Sequence, residues 1–220
     1  AGWEVLRPRE LAGSAGSKLT VEDDFSVLAT GPNSQAETYT IWAGADTKTI
    51  RAIRLQVLAD ERLPSRGPGR ASNGNFVLSS LRIFVESQKK NTVARRYRLA
   101  SARADFSQNS RQVTSVLGDD GTDGWAVHPK VGQDHVAVFS LRRPIVANDG
   151  PVRLRVELDH RVHEDHNIGR FQLSVSSAQV PLLQKVPDAD LLATLRAPPG
   201  KRTGEQVLKL VRFFGYREPE

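Results

Sequence analysis

The sequence predicts an all-β protein: an antiparallel β-sandwich of jelly-roll type with a short C-terminal helical tail. Three observations predict it. Ten segments read as strands, most of them alternating apolar and polar residues at the two-residue period of a half-buried strand. Almost no helical periodicity separates them, which argues against a doubly wound nucleotide-binding fold. One half of the chain also echoes the other, as two Greek-key halves would.

Trp3 to Leu6 opens the series of strands, and Ser26 to Ala29 comes second, closed by the turn Thr30-Gly31-Pro32-Asn33. Glu37 to Ala43 (ETYTIWA) alternates well. Ala52 to Leu58 puts Ile53, Leu55 and Val57 on one face and Arg54 and Gln56 on the other. Phe76 to Val85 is strand-like, with a bulge expected at Ser79-Ser80. Arg96 to Phe106, Trp125 to Val127, His135 to Leu141, Val152 to Leu158 and Phe171 to Val175 complete the set.

The echo runs from Glu37 in one copy and from His135 in the other. Each copy has two alternating strands, the second ending in Asp60 or Asp159, then a polar loop, then a Gly-x-Phe-x-Leu-Ser strand. Those strands carry Gly74, Phe76, Leu78 and Ser79 in one copy and Gly169, Phe171, Leu173 and Ser174 in the other. The repeat places the polar loops 60–75 and 159–169 at equivalent strand ends, where a rigid sandwich carries its binding residues.

The sandwich is expected over 1–180, and 181–220 reads as a helical tail or linker toward a neighbouring domain. Leu191, Leu192 and Leu195 have helical spacing, and Pro198-Pro199-Gly200 ends that segment. Thr203 and Gln206 then form a capping-box pattern. Val207, Leu210, Val211 and Phe214 make one apolar face of a second short helix.

Composition excludes several function classes. With 220 residues and no cysteine, the chain carries no disulfide, thiol chemistry, Fe–S cluster or covalent c-type haem. A chain without Met that opens Ala1-Gly2-Trp3 reads as a segment of a longer polypeptide. No stretch approaches the roughly 18 apolar residues of a membrane span, so no membrane insertion is expected. The net charge of +6 and pI near 9.9 favour acidic partners. The basic doublets Lys89-Lys90, Arg95-Arg96 and Arg142-Arg143 are scattered in sequence and read as solvated surface. No basic run interleaved with aromatics suggests a nucleic-acid partner.

No catalytic signature is present: no Gly-x-Ser-x-Gly elbow, no phosphate-binding loop before a helix, no His-Glu-x-x-His. Three of the five histidines, His160, His163 and His166, share one acidic loop with Asp159, Glu164 and Asp165. Imidazoles and carboxylates suit a transition metal, but this spacing in a non-helical loop does not converge by itself. Ligand contact and a plain solvated loop are the other readings. Asp119, Asp120 and Asp123 form a tight acidic loop before Trp125 that offers oxygen ligands to Ca²⁺ without EF-hand spacing. Trp42 and Trp3 lie in strand patterns, either as core residues or as flat platforms for a sugar face. Arg66, Arg70, Asn73, His163, His166 and Arg170, from the two equivalent loops, are the candidate polar ligand-binding residues, since arginine forks pair carboxylate or sulfate groups.

Five phrases carry a family resemblance: GPGRASNGNFVLSSLRI, SARADFSQ, DDGTDGWAVHP, HNIGRFQLSVS and LLATLRAPPGKRTGEQ. Together they resemble the middle region of large multidomain planctomycete proteins that also carry cytochrome-c-like domains. Asp120, Gly121 and Trp125 are also similar to an element of galactose-binding-like, discoidin-type sandwiches. The resemblance implies an exported parent protein, periplasmic or extracellular, with haem-bearing neighbours, and it supplies no catalytic residues.

The leading expectation is a non-catalytic carbohydrate-binding module, with no cofactor, for an extracellular polysaccharide; the basic balance favours an anionic one. The alternative is a structural or protein-interaction domain that docks neighbouring haem domains. A metal-dependent enzyme using the 160–166 loop comes last.

Overall fold

The structure is a computed structural model that describes residues 2–86, 94–118, 121–147, 152–178, 194 and 198–208. The chain divides into two compact units, Ala1–Leu183 and Gln184–Glu220. Among the described residues the first unit contains β1 (Glu4–Val5), β2 (Arg7–Gly13), β3 (Lys18–Val21), β4 (Val27–Thr30), β5 (Glu37–Ala45) and β6 (Thr49–Val57). It continues with β7 (Ser80–Val85), β8 (Arg95–Tyr97), β9 (Leu99–Ala104), β10 (His135–Val146), β11 (Val152–His160) and β12 (Arg170–Ser176).

These strands form two antiparallel sheets. The larger runs β3-β4-β12-β6-β10-β9, with β1 added against β12, and the smaller runs β2-β5-β11-β7-β8. The orders β4-β12-β6-β10 in the larger sheet and β5-β11-β7-β8 in the smaller are the strand order of a jelly roll. The repeat seen in the sequence is a symmetry of this arrangement. Exchanging β5, β6 and β7 for β10, β11 and β12 turns the order β5-β11-β7 into β10-β6-β12, which belongs to the other sheet.

The inward residues are those the alternation selects: Ile53, Leu55 and Val57 from β6, Tyr39, Ile41 and Ala43 from β5, Leu154, Val156 and Leu158 from β11. Trp125 and Phe76 meet edge to face at 5.1 Å, and the fully buried Trp125 donates its indole N–H to the Phe106 carbonyl at 2.9 Å. The two repeated glycines serve different ends. Gly74 turns the chain at a φ of +78°, while a Cβ on Gly169 would come within 2.4 Å of Leu63.

Several elements depart from expectation. Trp125 to Val127 is not a strand; it makes one isolated bridge, Leu78 to Trp125, and is otherwise a buried connection. The segment 96–106 breaks at Arg98, where the chain leaves the small sheet for the large one. The first half of 76–85 is irregular, and β7 begins at Ser80. β2 and β3 are additional edge strands, with little apolar signal because their side chains are mostly exposed.

In the second unit Thr203 and Gln206 form the expected capping box. The Thr203 N–H donates to Gln206 Oε1 at 2.9 Å and the Gln206 N–H to Thr203 Oγ1 at 3.2 Å, and residues 204–208 are helical. Leu191, Leu192, Leu195, Leu210, Val211 and Phe214 lie outside the described residues.

Candidate functional site

The fold brings the two predicted loops together. The Arg70 N–H donates to the Asn167 carbonyl at 2.8 Å, that of Gly169 to Pro68 at 2.7 Å and that of Val77 to His166 at 2.8 Å. The Asn33 amide donates to the carbonyls of Arg70 and Asp165, so the loop before β5 joins the same end.

At this end the predicted arginines point their donors into the protein. Arg70 donates to Ser17 Oγ and the Pro32 carbonyl, both at 2.9 Å, and to the Gly31 carbonyl at 2.5 Å. Ser17 Oγ in turn donates to the buried Glu37 carboxylate at 2.8 Å. Arg170 reaches Asp24 Oδ2 at 2.8 Å, Asp60 Oδ2 at 3.1 Å and Ser26 Oγ at 3.0 Å. Arg62 hydrogen-bonds Asp60 as well, and it, with Arg170, holds that carboxyl far below the usual range. Asn73 is exposed and accepts the Asn75 N–H at 3.0 Å in a local turn. Arg66 is exposed.

The three histidines do not all converge: the rings of His163 and His166 lie 5.2 Å apart, and His160 does not join them. His160 is buried against Tyr39; its Nδ1–H donates to the Glu37 carbonyl at 3.0 Å and its Nε2 faces the Ile168 N–H at 3.4 Å. Burial pushes its pKa down to about 4, so the imidazole is neutral at neutral pH. His163 is exposed and accepts from Arg111 Nη2 at 3.0 Å, and partial burial, Arg111 and His166 lower its pKa. His166 donates to the Glu164 carbonyl at 2.8 Å and faces the Asp165 carboxylate at 2.9 Å. Asp123 is occupied by Ser115 Oγ at 2.6 Å and Arg111 Nη1 at 2.7 Å, while Asp119 and Asp120 lie outside the described residues. Among the described residues no group of three or more His, Asp or Glu is placed to hold a metal ion.

This end also carries a shallow cleft of about 320 Å³, floored by Leu28, Leu63 and Pro64 and flanked by Arg62, Arg70 and Asn33. Its polar groups are already committed to one another or to the backbone.

Trp42 lies elsewhere. It is half-buried and belongs to the outer face of the small sheet, because Tyr39, Ile41 and Ala43 take the inward positions of β5. Its parity within ETYTIWA is the signal that resolves the core-or-platform alternative. Its indole N–H has no hydrogen-bond partner among the described residues, in contrast to Trp125.

Strand register lines Trp42 up with three further side chains. Trp42 pairs across with Arg155, Arg155 with Phe84, and Phe84 with Arg96, on β5, β11, β7 and β8. Three strand spacings of about 4.8 Å make this row about 14 Å long. The Arg155 guanidinium carbon lies over the Phe84 ring, 4.0 Å from its centroid, a cation–aromatic contact. Glu86 Oε1 and Glu157 Oε1 hold Arg155, and Arg82 donates to Glu157 Oε2 at 2.9 Å. The face therefore offers an open indole, a flat guanidinium and fixed carboxylates side by side.

Nothing in the sequence marks Phe84, Arg155 and Arg96 as a group, since their alignment depends on register among strands far apart in the chain. Comparison of the chain with family models, with curated proteins and with solved structures finds no match in any of the three.

Proposed function

We propose that this protein is a non-catalytic carbohydrate-binding module that docks on a polysaccharide through the outer face of its five-stranded sheet. The row Trp42–Arg155–Phe84–Arg96 carries the reading. A sugar ring presents an apolar C–H face and an equatorial belt of hydroxyls. A half-buried indole supplies the surface for the first, and the N–H donors and oxygen lone pairs of Arg155, Arg82 and Glu157 beyond those used in their mutual ion pairs supply fixed donors and acceptors for the second. Rigid strands hold these groups in place, so little ordering entropy opposes binding. The resemblance to exported planctomycete proteins is consistent with this role, with haem-bearing domains as neighbours in a longer chain.

Affinity electrophoresis against neutral and acidic polysaccharides at about 0.15 M salt, where bare charge attraction is largely screened, tests it. Selective retardation by one polysaccharide is expected, and Trp42→Ala weakens it. If no polysaccharide retards the protein, the module reading falls and docking of neighbouring domains takes its place.

A further inference from the structure

The row on the small sheet ends at Arg96, and Arg96 also lines a second cleft at the edge of the sandwich. This cleft, of about 290 Å³, is formed by Arg95, Arg96, Tyr97, Arg98, Arg142 and Arg143. Five of its six described lining residues are arginine, and none of the six is acidic. Sequence position hides the cluster, since two doublets more than forty residues apart make most of it.

Two irregularities of the backbone build it. At Arg98 the chain passes from β8 in the small sheet to β9 in the large one, and the Arg98 carbonyl accepts the Arg142 N–H at 2.8 Å. In β10 the pairing with β6 jumps from Ser140↔Ala52 to Ile145↔Ile50, so residues 141–144 stand opposite Arg51 alone. Such a bulge turns the strand outward and presents Arg142 and Arg143 to solvent, where both are exposed. The exposed Arg51 is a further positive charge across the ladder from them.

Among the described residues Arg95, Arg98, Arg142 and Arg143 make no ion pair with a carboxylate. Arg62, Arg82, Arg111, Arg155, Arg161 and Arg170 all do. Like charges gathered in one small cleft repel one another, and an external anion relieves that repulsion.

We propose that this cleft is the acidic-group subsite of the module, so that the polysaccharide it takes is anionic and carries sulfate or carboxylate groups. This rests on the glycan reading of the adjoining face. A chain lying along Trp42, Arg155 and Phe84 reaches Arg96 at the end of the row, and its acidic substituents then enter the cleft, where guanidinium forks pair oxyanions. The cleft suits a polysaccharide better than a nucleic acid. Among its described lining residues the aromatic ring is that of Tyr97, which packs partly against the core and is covered by the Arg95 guanidinium at 5.1 Å from its centroid, so these residues offer no open ring for a base.

The test uses one backbone in three forms: dextran, dextran sulfate and carboxymethyl dextran, with a single-stranded oligonucleotide as a fourth probe. Titrations compare the full chain with Arg142→Ala/Arg143→Ala and with Trp42→Ala, over a salt series. The wild type is expected to prefer a charged form over dextran, and the sulfate and carboxymethyl arms show which group is read. The double arginine variant loses about tenfold in affinity for the charged form and nothing for any neutral polysaccharide. Its slope of log K against log salt shrinks by about two, one for each contact removed. Trp42→Ala weakens neutral and charged polymers alike and leaves the salt slope unchanged.

A double arginine variant that binds the charged polymers like the wild type, while Trp42→Ala still loses them, overturns the subsite and leaves the module reading intact. Loss in the arginine variant with no effect of Trp42→Ala overturns the face and keeps the cleft. Tighter binding of the oligonucleotide than of either charged dextran overturns the polysaccharide as occupant.

Discussion

The loop end of the sandwich and its arginine corner are built from the same residue type and behave as opposites. At the loop end Arg70 and Arg170 are surrounded by acceptors: two backbone carbonyls and a serine for one, two carboxylates and a serine for the other. Those guanidiniums fasten the segments 17–33, 60–70 and 167–170 together. At the corner, Arg98, Arg142 and Arg143 have no carboxylate to fasten to among the described residues. An arginine with its acceptors inside the protein is a structural clasp; one without them is available to an external anion.

At the loop end the largest expected effect comes from His160. Its pKa in the folded protein, about 4, is below the ordinary 6.5, so on acidification the unfolded chain takes up the proton first. Stability contributed by the neutral buried ring is present above about pH 6.5 and is lost as pH falls toward 4, by about 3 kcal/mol. Urea unfolding at a series of pH values checks this, and His160→Gln should flatten the profile in that window. Below about pH 4 a second loss sets in, because Asp60 of the unfolded chain takes up a proton while Arg62 and Arg170 hold the folded one ionised.

Arg170→Ala comes next. It leaves Asp24, Asp60 and Ser26 without their shared donor, and destabilisation of about 2 kcal/mol is expected in the same unfolding assay. A variant as stable as the wild type would erase the distinction between clasp and free arginine.

Trp42→Ala should cost under about 1 kcal/mol, since the ring is half-buried on an outer face, whereas Trp125→Ala removes a fully buried ring and should cost about 3–5 kcal/mol. Smallest of all, Arg142→Ala/Arg143→Ala should leave the unfolding midpoint within about 0.5 kcal/mol of the wild type. A stability loss there comparable to that of Arg170→Ala would mean that the corner is also a clasp.

The sandwich was legible because its strands alternate, and its jelly-roll order because two halves share a Gly-x-Phe-x-Leu-Ser strand. The meeting of loops 60–75 and 159–169 came from the same repeat. What Arg70 and Arg170 do there was not legible. Their acceptors Gly31, Pro32, Asp24 and Ser26 lie far away in sequence, and only the fold decides whether an arginine meets them first or meets solvent. Trp42 could have been assigned to the outer face from its parity with Tyr39 and Ile41. The corner was hidden for a different reason: a bulge and a change of sheet leave no composition signal, and the doublets they unite look like ordinary surface charge.

The pairing of β1 with β12 sets Glu4 directly beside Val175, so the chain enters and leaves the sandwich as neighbouring strands about 5 Å apart. Within a longer polypeptide, a module tethered in this way hangs as a pendant and adds almost no reach between the segments on either side of it. Its deletion would shorten the path between those segments by about one strand spacing.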